Sequence, residues 1–269
     1  VTAYTTLRLE RHDDGVRVLT LDDPDKRNAI GPEMRDELIA LADEVRGDPE
    51  ARALVVTGAG TAFCAGADLN AIFHEGQGPA ETRESELSYY RSFLWVRDLP
   101  FPTIAAVDGH AIGAGANLAL VCDIVVAGPG AKFGITFSRI GLHPGGGCTH
   151  FLTQRIGAGR AMRLVLRGDT VVGQDAHAHG LADVYAEDPL AEALDTAHLV
   201  ARLHPGLAAD VKRTVRLSDE SGFDAVLGYE SWAQASSSFH DGVRDSIRAA
   251  GRSTSRPRVA DSVSSGAGK

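Results

Sequence analysis

The chain has 269 residues, 43% of them apolar and 23% charged, which supports a sizeable buried core and excludes disorder over most of its length. Its 36 acidic against 27 basic side chains leave a net charge of −9, so nonspecific attraction to nucleic acid or to an anionic membrane is not expected.

Residues 5–10 and 16–21 read as short strands joined by the polar turn His12-Asp13-Asp14-Gly15, a hairpin. Beyond the loop DDPDKRNAI, Pro32 suits a first helical turn, and Met34, Leu38, Leu41 and Val45 recur at helical spacing. The run ALVVT at 53–57 is short, apolar and β-branched, and Gly58-Ala59-Gly60 ends it. Residues 76–98 open on Gly and Pro and continue as a charged helical stretch with Leu87, Tyr90 and Leu94, either a surface helix or a flap over a site. TIAAV at 103–107 is a second buried strand before a glycine-rich turn. Buried strands alternating with helices predict an α/β fold with parallel strands.

Residues 174–204 read as helical, with Leu190, Leu194, Ala197 and Ala201 on one face, and further helices are predicted over 207–217 and 224–249. This assigns 1–200 to a core and 201–250 to a helical region suited to oligomerisation, while the Ser-, Gly- and Arg-rich tail over 251–269 is expected to be disordered. Cys64, Cys122 and Cys148 lie far apart without CxxC spacing, which favours a reducing compartment. The best apolar stretch, 111–127, is interrupted by Asn117 and Asp123, so no membrane insertion is expected. The opening VTAYTTLRLERHDD has neither a basic flank nor a long apolar run; it does not read as a secretory signal, and a cytoplasmic location is expected.

Two segments carry the chemistry: TAFCAGADL at 61–69 and VDGHAIGAGANLA at 107–119. Both follow predicted strands and consist of very small residues, which let a ligand touch the backbone. A helix starting near Gly113 would aim free N–H groups at that ligand. Two such groups converging on one oxygen form an oxyanion hole, suited to a thioester carbonyl that gains charge as an enolate forms. The competing explanation is that small residues merely allow close helix–strand packing. A dinucleotide site is disfavoured because Leu118 fills the third small position after Gly113-Ala114-Gly115, and neither a GxSxG elbow nor a P-loop is present.

These segments, with PDKRNAI at 24–30, FGITFSRIGLHPGGGCTHFLTQRIG at 133–157 and RAMRLVLRGDTVVGQDAHAHGLADVYA at 160–186, follow the order and spacing of the enoyl-CoA hydratase/isomerase family, the crotonase superfamily, which the chain resembles over about 5–252. The resemblance implies a spiral of repeated ββα units and a C-terminal helical region for trimerisation, often as a dimer of trimers. It implies an acyl-CoA ligand, with a CoA thioester as substrate and no further cofactor. By position, the N–H groups of Ala67 and Ala114 match the oxyanion pair, and Ala65, Asp68 and Leu69 lie along the CoA. Lys26 and Arg27 fall near its phosphates, either as ligands or as a solvated pair.

The same alignment puts Asn117 and Phe137 where hydratases of the family carry their two glutamates, and Gly145 where some relatives carry an aspartate. An amide or a phenyl ring cannot serve as a carboxylate acid or base. His143 near the pocket floor is the candidate substitute, with Asn117 orienting water or thioester and Phe137 shaping the acyl site. His143, Cys148 and His150 have no metal spacing, so no metal is expected. Two functions follow: an enoyl-CoA hydratase/isomerase-like lyase or isomerase with non-standard acid/base groups, or a catalytically silent acyl-CoA binder.

Overall fold

The computed structural model describes residues 4–73 and 76–253. Two sheets share the first, larger unit, which runs to Asp219. The hairpin β1 (Leu7–Arg11) and β2 (Val16–Leu21) opens the larger sheet, followed by α1 (Pro32–Arg46) and β3 (Ala53–Gly58). The short β4 (Ala62–Cys64) then starts the second sheet, and α2 (Leu69–Ile72) and α3 (Pro79–Leu94) follow it. The pattern repeats with β5 (Thr103–Val107), β6 (His110–Ile112) and α4 (Ala114–Leu120), and again with β7 (Ile124–Ala127), β8 (Lys132–Gly134) and α5 (Cys148–Arg167). Next come β9 (Thr170–Val172), α6 (Gly173–Ala178), β10 (Val184–Tyr185), α7 (Pro189–Ala201) and α8 (Pro205–Glu220).

The strand orders are β1-β2-β3-β5-β7-β10 and β4-β6-β8-β9. Only β1/β2 and β8/β9 pair antiparallel. Each repeat therefore lays one strand in the large sheet and the next in the small one before its helix returns. This is the α/β spiral of ββα units that the resemblance implies.

Burial explains the regular elements. β3 and β5 are covered on both faces, so Leu54, Val55, Val56, Ile104 and Ala105 are all buried, and apolar runs rather than alternation mark them. In α1, Pro32 sits at the first position, and Met34, Leu38, Leu41 and Val45 are buried as the spacing predicts. Each fully buried Leu there contributes about 1.5–3 kcal/mol.

The structure departs from the sequence reading at the helical end. The stretch 174–204 contains β10, whose two residues pair with β7 and are too few to carry a period. In α7 the buried stripe is Pro189, Ala193 and Ala197, whereas Leu190 is exposed. The helix predicted over 224–249 is two helices, α9 (Phe223–Ser237) and α10 (Val243–Ser253), with Gly242 at φ 76° between them. These belong to the second unit, from Glu220 on. Packing thus divides the chain after Asp219 rather than near residue 200, because Lys212 and Arg216 of α8 pair with Asp123 at 2.8 and 2.7 Å. The tail expected to be disordered from residue 251 begins inside α10, and from 254 onward it lies outside the described residues. No helix among the described residues is long and apolar enough to cross a membrane.

Candidate active site

The turn after β4 is pinned from the loop 22–30. Asn28, fully buried, donates from Nδ2 to the carbonyls of Ala59 (2.9 Å) and Ala62 (2.7 Å), and its Oδ1 accepts from Asp23 N (2.9 Å). Backbone bonds Ala65 N to Arg27 O (3.0 Å), Ile30 N to Gly66 O (2.8 Å) and Asp68 N to Ile30 O (3.1 Å) then fix the segment 65–68. Ala67 lies between the two anchored residues Gly66 and Asp68, opposite Ile30 in an isolated bridge. Among the described residues its N–H has no hydrogen-bond acceptor.

The second turn follows β6. Gly113, at φ 53°, donates to Gly134 O (2.9 Å), and Ala114 is the first residue of α4, so its N–H has no intrahelical partner. Gly66 brings the turns together: at φ 102°, a Cβ there would lie 2.6 Å from Ile112 O and 3.7 Å from Ala114 N. Only glycine permits both the conformation and the approach. The unpartnered amides of Ala67 and Ala114 thus line one cavity.

That cavity, of about 120 Å³, brings together Ala65, Ala67, Leu69, Ala114, Asn117, Phe137 and His143 of the predicted residues. Lys26, Arg27 and Asp68 do not line it. Lys26 Nζ lies 3.2 Å from Asp23, and the Asp68 carboxylate accepts from Asn70 N at 3.1 Å, capping α2. The Phe137 ring stands beside the oxyanion turn, 3.6 Å from where a Cβ on Gly113 would sit. Asn117 is 1% exposed and donates from Nδ2 to Gly145 O at 2.8 Å, while its Oδ1 is buried with no partner. His143 is exposed at the rim, with Nδ1 2.7 Å from Pro144 O. A carbonyl only accepts, so Nδ1 is the donor in this contact.

Sequence reasoning missed three contributors. Asn28 is one, as the pin of the first turn. The others are Glu86 and Tyr90 on α3, not singled out as site residues in a stretch that reads as either a surface helix or a flap over a site; the helix turns one side into the cavity. Burial pushes the Tyr90 hydroxyl up to about 12, and the negative charge of the neighbouring Glu86 acts in the same direction. Burial likewise pushes the Cys148 thiol up to about 12, so no reactive thiolate forms at the start of α5. Among the described residues, no group of three or more His, Cys, Asp or Glu side chains is arranged to hold a metal ion.

Two glycine-shaped turns thus bring Ala67 and Ala114, whose amides are unpaired among the described residues, to one largely apolar cavity within the ββα unit. The family model for enoyl-CoA hydratase/isomerase matches residues 11–244. A Mycobacterium tuberculosis protein named "Probable enoyl-CoA hydratase EchA14" is 43% identical over 216 residues, 80% of this chain and 82% of that one. The 1,2-epoxyphenylacetyl-CoA isomerase of Escherichia coli is 35% identical over 244 residues, 87% of this chain and 93% of the other. The crystal structure of an enoyl-CoA hydratase from Polaromonas sp. JS666 superposes with a TM-score of 0.82 at 30% identity, covering 94% of this chain and 98% of that one. The chain belongs to the enoyl-CoA hydratase/isomerase family of the crotonase superfamily and is an enzyme of that kind, a lyase or isomerase.

Proposed function

We propose that the substrate is a CoA thioester whose carbonyl oxygen is held by the amides of Ala67 and Ala114. One observation carries this reading: among the described residues both N–H groups lack an acceptor, and Ala67 and Ala114 line the same cavity. Donors fixed in advance stabilise the oxyanion of an enolate without reorganising as charge develops. The relatives named above support the ligand class, since the names of both describe chemistry on acyl-CoA compounds. Ala65, Asp68 and Leu69 then lie along the CoA, with Lys26 and Arg27 toward its phosphates. Asn117 orients water or the thioester, and Phe137 bounds the acyl group. Proton transfer requires a titrating group, and His143 and Glu86 are two that line the cavity. The protein acts as a homotrimer or dimer of trimers in the cytoplasm, where its three unbridged, buried thiols stay reduced.

The test is Ala114→Pro. Proline fits the first position of a helix, so α4 persists while the donor is lost. Turnover of a CoA thioester falls by about 10²–10³ if the amide acts on the oxyanion, with circular dichroism unchanged. Turnover equal to wild type overturns the reading. The second reading, a silent acyl-CoA binder, is favoured by the amide and the phenyl ring at positions 117 and 137. It predicts calorimetric binding of acyl-CoA compounds with no conversion above buffer.

A further inference from the structure

Among the described residues, four titratable side chains line the cavity: Glu86, Tyr89, Tyr90 and His143. Tyr89 is committed, its buried hydroxyl donating to Ile30 O at 3.1 Å. His143 is exposed and tied through Nδ1 to the carbonyl of its own neighbour. Glu86 is different: among the described residues it is the one carboxylate lining the cavity, it is half-buried, and Tyr90, one helical turn further along α3, lines the same cavity beside it.

The surroundings of that pair are built rather than incidental. The Tyr90 ring is held edge-on by Tyr89 and Phe93, with centroids 6.3 and 6.4 Å away. Its hydroxyl occupies the space a side chain at 145 would need, for a Cβ on Gly145 would lie 2.0 Å from Tyr90 Oη. The carbonyl of that same Gly145 accepts from Asn117 Nδ2, and Asn117, whose Oδ1 is buried and without a partner among the described residues, lines the cavity with Glu86 and Tyr90. A buried orphan acceptor costs about 1–3 kcal/mol unless a donor reaches it, and a water or substrate hydroxyl in the cavity supplies one. Carboxylate, phenol and amide acceptor thus surround a space next to the two oxyanion donors.

We propose that Glu86, positioned by Tyr90, is the acid/base residue of this site and moves the α proton of the bound thioester. The assignment rests on the thioester reading above and gives the proton step to Glu86 rather than His143. In the step, the Glu86 carboxylate takes a proton from the α carbon. The C–H pair becomes the C=C bond of the enolate, and the carbonyl π pair moves onto the oxygen between the Ala67 and Ala114 amides. Return of a proton from the Glu86 carboxylic acid to carbon restores the thioester and the carboxylate.

The experiment uses the full chain with acetyl-, butyryl-, octanoyl- and phenylacetyl-CoA. Calorimetry ranks their binding, and NMR in D2O follows exchange of the α protons of the tightest binder. Wild type exchanges above buffer. Glu86→Gln binds within about threefold of wild type but exchanges about 100-fold or more slowly, Glu86→Asp recovers part of the rate, and Glu84→Gln, on α3 outside this cavity, changes neither. Tyr90→Phe slows exchange about tenfold while binding stays within about threefold of wild type, the split expected of a residue that positions Glu86. If Glu86→Gln fails to fold, Glu86→Asp and Tyr90→Phe carry the same readouts. Binding with no wild-type exchange, or exchange in Glu86→Gln within threefold of wild type, overturns the assignment and leaves the thioester reading standing. Failure of every panel member to bind overturns that reading and the assignment with it.

Discussion

An alanine at position 145 would set its Cβ against the Tyr90 hydroxyl, whereas an alanine at position 66 would set it 2.6 Å from the Ile112 carbonyl at a φ of 102°. The first obstacle is the end of a side chain and the second is backbone, so the two substitutions separate. Gly145→Ala is expected to fold with a loss of about 1 kcal/mol in urea denaturation and to slow α-proton exchange as Tyr90→Phe does, because Tyr90 must leave its seat. Gly66→Ala is expected to lose about 3 kcal/mol and to abolish thioester binding, since neither strand can retreat. Phe137→Ala opens the wall beside Gly113; calorimetry should then show the preference among acyl-CoA compounds moving toward the bulkier members, with His143→Ala changing binding and exchange by less than about threefold. At this scale the sequence was readable only where it was odd. Runs such as CAGAD and GAGAN can serve few purposes besides backbone approach. Glu86 and Tyr90 sit in a helix of ordinary polar composition, and nothing local distinguishes the face that meets a cavity from the face that meets water.

Among the elements, the strand pair β2/β3 and helix α1 are tied by a charge pair of low exposure: Arg17 Nε lies 2.7 Å from Asp48, with the arginine side chain 5% exposed. The bond from Arg17 holds the Asp48 carboxyl below its usual range. A carboxyl with a lowered folded value contributes stability that is complete above its unfolded value, near pH 4, and is lost as pH falls through the folded one. Asp48→Asn is therefore expected to cost about 2 kcal/mol at pH 7. Its denaturation free energy should converge with that of wild type as pH drops below about 4. Divergence there would mean that the pair is not ionic. β1, β2, β3, β5 and α1 were legible because continuous burial or a 3.6-residue period leaves a mark over five or more residues, whereas the four-residue β7 of the same sheet was not read as a strand. β4, β6, β8 and β9 were not, because three-residue strands carry no usable period, and their existence followed only from the resemblance. β10 vanished into a helical reading for the same reason.

For the molecule as a whole, the apolar surface left outside the core is informative. In the second unit Phe223, Trp232 and Phe239 are 77, 79 and 72% exposed, and in the first unit Met162 and Leu166 of α5 and Val211 and Val215 of α8 are each more than half exposed. Single exposed side chains are ordinary, but several large ones on one acidic protein are the surface that the proposed association would cover. Each fully covered aromatic or aliphatic side chain gains about 1.5–3 kcal/mol, so a few per protomer suffice to hold a homo-oligomer. Sedimentation equilibrium is expected to give three or six times the 28.4 kDa chain mass. Trp232→Glu combined with Phe223→Glu should return it to the mass of one chain, since two buried carboxylates without partners cost more than the remaining contacts supply. A wild-type protein that sediments as a single chain at micromolar concentration would show that these faces are not interfaces. The apolar residues on α5 and α8 would then need another partner, and the double variant would behave as wild type.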